Sequence, residues 1–124
     1  MKISIKKHVF ELLKYHDCVI ITGLGSFILN EKSGYLNQIT NQIHPPSKII
    51  SFNTKVSQND GLLANYIMSK ENISYNQACL EIMKFSRQTK LKIQKGETIL
   101  FENIGELYIN NNDEIEFTPC NLFN

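Results

Sequence analysis

Apolar residues along the chain switch between helical and alternating spacing in a set order. Ile5, Val9, Leu12 and Leu13 recur at helical intervals over 3–15, with lysines on the opposite side, and predict a first helix. Residues 17–22 and 25–30 are β-rich runs joined through Gly23-Leu24-Gly25, a glycine-marked hairpin turn. Residues 31–46 are polar, with Gly34 and the pair Pro45-Pro46, and predict a long loop or extended arm before a third strand over 48–52. A second helix is expected over 59–71, with Leu62, Leu63, Tyr66 and Ile67 on one face, and Asn59 or Asp60 capping it ahead of Gly61. Ser74-Tyr75-Asn76-Gln77 has the capping-box form and opens a longer helix over 75–95, with Ala78, Ile82, Phe85, Thr89 and Ile93 in register. Gly96 ends that helix as a left-handed cap. Strands follow at 97–102, 105–110 and 113–117, the last two joined by an Asn/Asp turn, with 119–124 as tail.

The order of elements conceals a repeat. Residues 17–30 lie over 97–110 without a gap. Acid meets acid at 17/97, glycine meets glycine at 25/105, and asparagine meets asparagine at 30/110. Apolar residues match at 19/99, 20/100, 21/101, 24/104, 27/107, 28/108 and 29/109. Upstream, Ile5, Val9 and Leu13 fall on Phe85, Thr89 and Ile93. The unit is a helix, a short link and a β-hairpin, and it occurs twice. Each unit is too small to bury its own apolar face well, so the two are expected to complete one core as a pseudo-dimer, with a swapped homodimer as the alternative. The seam falls near 54–60, giving unit 1 over 1–56 and unit 2 over 57–118.

Composition narrows the function classes. A chain of 124 residues with 42% hydrophobic content folds around a core. The net charge of +1 is not the basic footprint of a typical nucleic-acid-binding domain. All but Arg87 of the 13 basic residues are lysine, and Ile and Asn are abundant, a bias that lowers the weight of lysine counts. The three cysteines are far apart and form no Cys-x-x-Cys, which fits a reducing, cytoplasmic compartment, with Cys18 and Cys79 expected as small buried residues. No apolar run approaches the roughly 20 residues of a membrane span, so no membrane contact is expected of the chain itself.

Residues 59–110 resemble the HU/IHF family of small bacterial DNA-architectural proteins. The likeness lies in two helices parted at Ser74, then Lys95-Gly96-Glu97, then a hairpin around Ile104-Gly105-Glu106-Leu107. The whole chain is similar to prokaryotic HU-like tandem domains related to a eukaryotic centrosomal coiled-coil protein. The matching stretches are His16-Asp17-Cys18-Val19-Ile20, Gly23-Leu24-Gly25-Ser26-Phe27, Pro45-Pro46-Ser47-Lys48, Phe52-Asn53 and Asn59-Asp60-Gly61-Leu62-Leu63. The resemblance implies an α+β fold of tandem HU-like units, each with helices and a three-stranded antiparallel sheet. It also implies a non-enzymatic module, often found at the N-terminus of envelope proteins that carry a sporulation-related repeat (SPOR) domain, and hence a place at the inner face of the cell envelope.

HU-type proteins hold DNA with basic β-arms, often through a proline wedged into the minor groove. In unit 1 the residues for that task are Lys32, Pro45, Pro46, Lys48 and Lys55, with Lys84, Arg87 and Lys95 on the long helix as a further basic face. In unit 2, residues 97–124 carry Glu97, Glu102, Glu106, Asp113, Glu114 and Glu116, no Lys or Arg, and no room for an arm. An acidic sheet opposes phosphate, so a protein partner is the leading expectation and weak, sequence-independent DNA binding the alternative. Tyr35, Ile39, Ile43 and Ile49 are the candidate partner contacts.

Other groupings carry structure in preference to chemistry. Gly23-Leu24-Gly25-Ser26 lacks the third glycine and the following helix of a dinucleotide fingerprint. His16-Asp17-Cys18 reads as a strand boundary, because Asp17 and Cys18 point to opposite faces. His8 and His44 have no spaced partner, so no metal is expected. No cofactor and no catalytic constellation is expected. Gly23, Gly25, Asn59, Asp60, Gly61, Ser74, Gly96 and Gly105 are assigned as turn and cap residues.

Overall fold

The computed structural model describes residues 3–32, 35–37, 42–44 and 47–120, with side chains for 3–30 and 48–120. Ser4 caps the first helix, α1 (Ile5–Leu13), by accepting from the Lys7 amide. Two strands follow, β1 (Cys18–Ile21) and β2 (Gly25–Lys32). Within the stretch expected as loop or arm lie β3 (Tyr35–Asn37) and β4 (Gln42–His44), which pair antiparallel with Tyr35 opposite His44. Then come β5 (Ser47–Asn53), α2 (Leu62–Glu71), α3 (Tyr75–Gln94), β6 (Ile99–Phe101), β7 (Gly105–Ile109) and β8 (Ile115–Pro119). The strands form two three-stranded antiparallel sheets, β1-β2-β5 and β6-β7-β8, and the separate β3-β4 ladder.

Local chemistry sets the helix boundaries. Ser74 accepts from the Gln77 amide at 3.0 Å, but the Gln77 side chain donates to Glu81, so only half of the expected capping box forms. The second helix starts at Leu62, later than the pattern suggests. Asn59 accepts from the Gly61 amide and Asp60 from the Leu62 amide, and these two turns delay it. Gly96, at φ +95, closes α3 in the left-handed region. The tail begins later than expected, because Pro119 pairs with Gly105 and the Cys120 amide donates to Ile104.

The two hairpins repeat down to the atom. Val19 pairs with Phe27 and Phe27 with Phe52, while Ile99 pairs with Leu107 and Leu107 with Phe117. Both turns close with the same bond, Leu24 amide to Ile21 carbonyl and Ile104 amide to Phe101 carbonyl, each at 2.9 Å. Gly25 and Gly105 lie under aromatic rings. A Cβ on Gly25 would sit 2.5 Å from the Phe52 ring, and one on Gly105 would sit 2.6 Å from the Phe117 ring and 2.4 Å from the Thr118 carbonyl oxygen. The copies differ in how the chain returns. It runs from Phe27 to Phe52 through β3 and β4, but only from Leu107 to Phe117 through a turn organised by Asn110, whose side chain accepts from the Asn112 and Glu114 amides.

The two copies share one core. A single buried cluster runs from Ile5, Val9 and Leu13 through Val19, Ile21 and Phe27 to Ile67, Ile82, Phe101 and Leu107. Phe27 is fully buried and meets Phe52 of its own copy and Phe101 and Phe117 of the other, at ring separations of 4.8, 5.1 and 5.4 Å. Polar links reinforce this joint. Ser86 donates to the Thr22 carbonyl at 2.6 Å, Tyr66 donates to Glu11 at 2.6 Å, and His8 Nε2 meets Glu71 at 2.7 Å. Within one chain the two copies thus complete the common core that the repeat predicts.

Replacing Gly105 with Ala is expected to cost about 1–3 kcal/mol, the range for forcing atoms into a packed site, read from urea unfolding. A further Phe117→Leu change should not restore the loss, because the Thr118 carbonyl still blocks the methyl group. The Tyr66–Glu11 bond gives a pH signature. It pushes the Tyr66 hydroxyl up to about 12, above the usual tyrosine value of 10. It also holds the Glu11 carboxyl below its usual value. The tyrosine contribution is thus complete below pH 10 and lost as pH rises from 10 toward 12, and the Glu11 contribution is lost as pH falls through the acid range. Thermal melts of Tyr66→Phe should show a shallower loss of stability at both ends than the parent chain, and parallel profiles would overturn the assignment.

Candidate binding surfaces

Three surfaces carry the residues singled out by sequence. The first is the arm side of unit 1. Lys32 and Ser47 pair across β2 and β5 at the base of the arm, and their side chains lie outside the described residues. Pro45, Pro46 and Ile39 lie outside the described residues altogether, and the side chains of Tyr35 and Ile43 do so as well. Ile49 is 37% exposed on β5. Lys48 is already engaged, with its ammonium 3.4 Å from Asp17. The pair is open to solvent, so it is weak, and it sets a carboxylate beside the charge that Lys48 would offer a phosphate. Lys55 is exposed just beyond β5, where its amide donates to Asn53.

The second surface is α3. Lys84, Arg87 and Lys95 are exposed, and among the described residues none of them forms an ion pair. The same outward side carries Leu80 and Leu91, 64% and 52% exposed. Sequence periodicity could have flagged these leucines, because they fall off the buried stripe of Ala78, Ile82, Ser86, Thr89 and Ile93.

The third surface is the sheet of unit 2. Leu100, Glu106 and Thr118 form one cross-strand row and Tyr108 and Glu116 another, on the face opposite the buried Ile99, Phe101 and Leu107. Leu100, Glu106, Glu116 and Thr118 are exposed. Carboxylates on this face meet no basic side chain from their own strands.

Neither His16 nor Asp17 bonds to Cys18, since Asp17 faces Lys48. Cys18 and Cys120 are exposed and Cys79 is half-buried, so the expectation that Cys18 and Cys79 are buried does not hold. Cys18 is exposed at the first position of β1, ahead of the buried run Val19–Ile21. Its thiol is pushed up by desolvation and then by the charge of Asp60, which disfavours the nucleophilic thiolate. His8, left without a role by the sequence, is a buried tie to Glu71, and its Nδ1 finds no partner. Among the described residues no group of His, Cys, Asp and Glu is arranged to hold a metal ion. No helix among them is long and apolar enough to cross a membrane.

The comparisons agree with this architecture. Residues 2–60 match the family model described as CCDC81-like prokaryotic HU domain 1, and residues 61–124 match CCDC81-like prokaryotic HU domain 2. No curated protein and no solved structure matches the chain. With two such domains in order along its length and one core between them, the chain belongs to the CCDC81-like prokaryotic HU family as a tandem of its two domains.

Proposed function

We propose that this tandem, with units at 1–56 and 57–118, is a non-enzymatic module that docks a protein partner in an envelope- or division-associated bacterial system, from the cytoplasmic side. The observation that carries the reading is the second unit's sheet. From Glu97 to Asn124 there are six carboxylates and no Lys or Arg, where an HU-type DNA grip needs cations against phosphate. Its β7–β8 turn is also too tight for an arm. Ile49 and the arm residues Tyr35, Ile39 and Ile43 are the proposed contacts in unit 1.

DNA binding is the second reading, and the β3–β4 ladder favours it, because it lies where an HU arm leaves the body. Its residues are Lys32, Pro45, Pro46, Lys48 and Lys55, with Lys84, Arg87 and Lys95 behind them. Fluorescence anisotropy with a labelled duplex of a few helical turns, at low and near-physiological salt, separates the two. The docking reading expects no binding near physiological salt, and at most weak binding at low salt that Lys48→Glu with Lys55→Glu abolishes. Tight binding that survives near-physiological salt overturns it.

A further inference from the structure

The repeat exposes a difference between two equivalent grooves. In unit 1 the turn between β1 and β2 is covered. The Gly23 amide donates to the Ser57 carbonyl at 2.9 Å, so the chain leaving β5 lies across the turn. Met83 packs against Gly23, and a Cβ there would meet the Met83 methyl at 3.3 Å. Ser86 bonds to Thr22, and Ile20 is only 9% exposed.

The unit 2 counterparts of Gly23, Ser86 and Ile20 are Asn103, Lys6 and Leu100. Asn103 holds the same left-handed turn position at φ +66, but among the described residues its amide finds no acceptor. Leu100 is 55% exposed. A groove of about 580 Å³ opens here, lined by Lys6, Lys7, Phe10, Leu100, Glu102 and Asn103. Lys6 lies in it with its ammonium 5.5 Å from the Phe101 ring, and among the described residues no carboxylate pairs with it. Burial, and after it the charge of Lys92, pushes the Lys6 ammonium below the usual lysine range. A half-buried cation beside another cation gains from any anion brought to it.

We infer that this groove binds an extended peptide segment of a partner protein, laid across the 101–104 turn as residues 54–57 lie across the first turn, with a carbonyl accepting from the Asn103 amide, an apolar side chain on Leu100 and a carboxylate at Lys6 and Lys7. Two lysines outweigh the single Glu102, so the site selects an acidic and apolar sequence. The inference rests on the docking reading for its biological sense. Duplex binding would overturn that reading and leave the groove unaffected, whereas failure of the peptide would remove the groove alone.

The test is a titration of the isotope-labelled full chain with acetyl-Leu-Glu-Leu-Glu-amide, followed by amide chemical shifts. Saturable shifts centred on Asn103, Leu100 and Lys7 are expected. At least a tenfold loss of affinity is expected for the Gln-substituted peptide, and for Lys6→Gln or Leu100→Ala in the chain. Both side chains are partly or largely exposed, so the amide spectrum should remain that of the folded protein. Absence of saturable shifts overturns the inference. So does equal affinity for the Glu and Gln peptides, or binding that appears only after truncation beyond Cys120, which would make residues 121–124 the groove's occupant.

Discussion

The ring of Phe27 is the joint on which the two halves turn. It touches Phe52 within its own sheet and Phe101 and Phe117 in the other, so one side chain lies in both halves of the core. Burying such a side chain contributes on the order of 2–3 kcal/mol, and ring-to-ring geometry adds to it. Neither unit could collect that alone, because a unit of about half this chain buries too small a share of its apolar surface. The glycines follow from the same joint. Phe52 and Phe117 lie over Gly25 and Gly105, and a methyl group at either position would displace the ring.

This explains where the copies agree and where they part. Positions that feed the joint match across the repeat, as with Val19 and Ile99 or Leu24 and Ile104, all within 8% exposure. Positions that leave it diverge. The return from Phe27 runs through an arm and the return from Leu107 through a turn, because strand pairing near the glycines constrains nothing beyond it. The helices diverge too, since α2 packs on α1 and β1 with no equivalent helix among the described residues on the other side. Glu11 and His8 consequently became partners for Tyr66 and Glu71, while their repeat-mates Leu91 and Gln88 remain exposed on α3.

Much of the fold is legible in the sequence because its signals are local. Helical spacing places all three helices, and Gly23-Leu24-Gly25 places the first hairpin. Signals that depend on distant residues are not legible. His8 meets a residue 63 positions away and Tyr66 one 55 positions away, and no spacing rule reaches so far. The capping box at Ser74 is half formed because Gln77 finds a better partner one turn on, in Glu81. The groove at Leu100 lies between these cases. Its residues are visible in the repeat alignment, where Lys6 stands against Ser86 and Asn103 against Gly23. Only the structure shows that one member of each pair closes a turn, while the other leaves it open among the described residues.

Joining two HU-like units in one chain also changes what selection can do to them. In a homodimer every substitution appears twice, on symmetric faces, so a patch and its opposite cannot differ. In this chain a change at Glu106 or Glu116 alters one sheet only, and β3 and β4 extend one hairpin only. The first unit could therefore keep an arm while the second became acidic, and both could still lean on Phe27. A symmetric DNA clamp needs two matching arms and gains little from such freedom. A module that presents different surfaces to a partner gains directly. The divergence falls outside the core, in the charge of one sheet, the arm of the other and the open turn at Asn103, which is where an asymmetric docking function would place it.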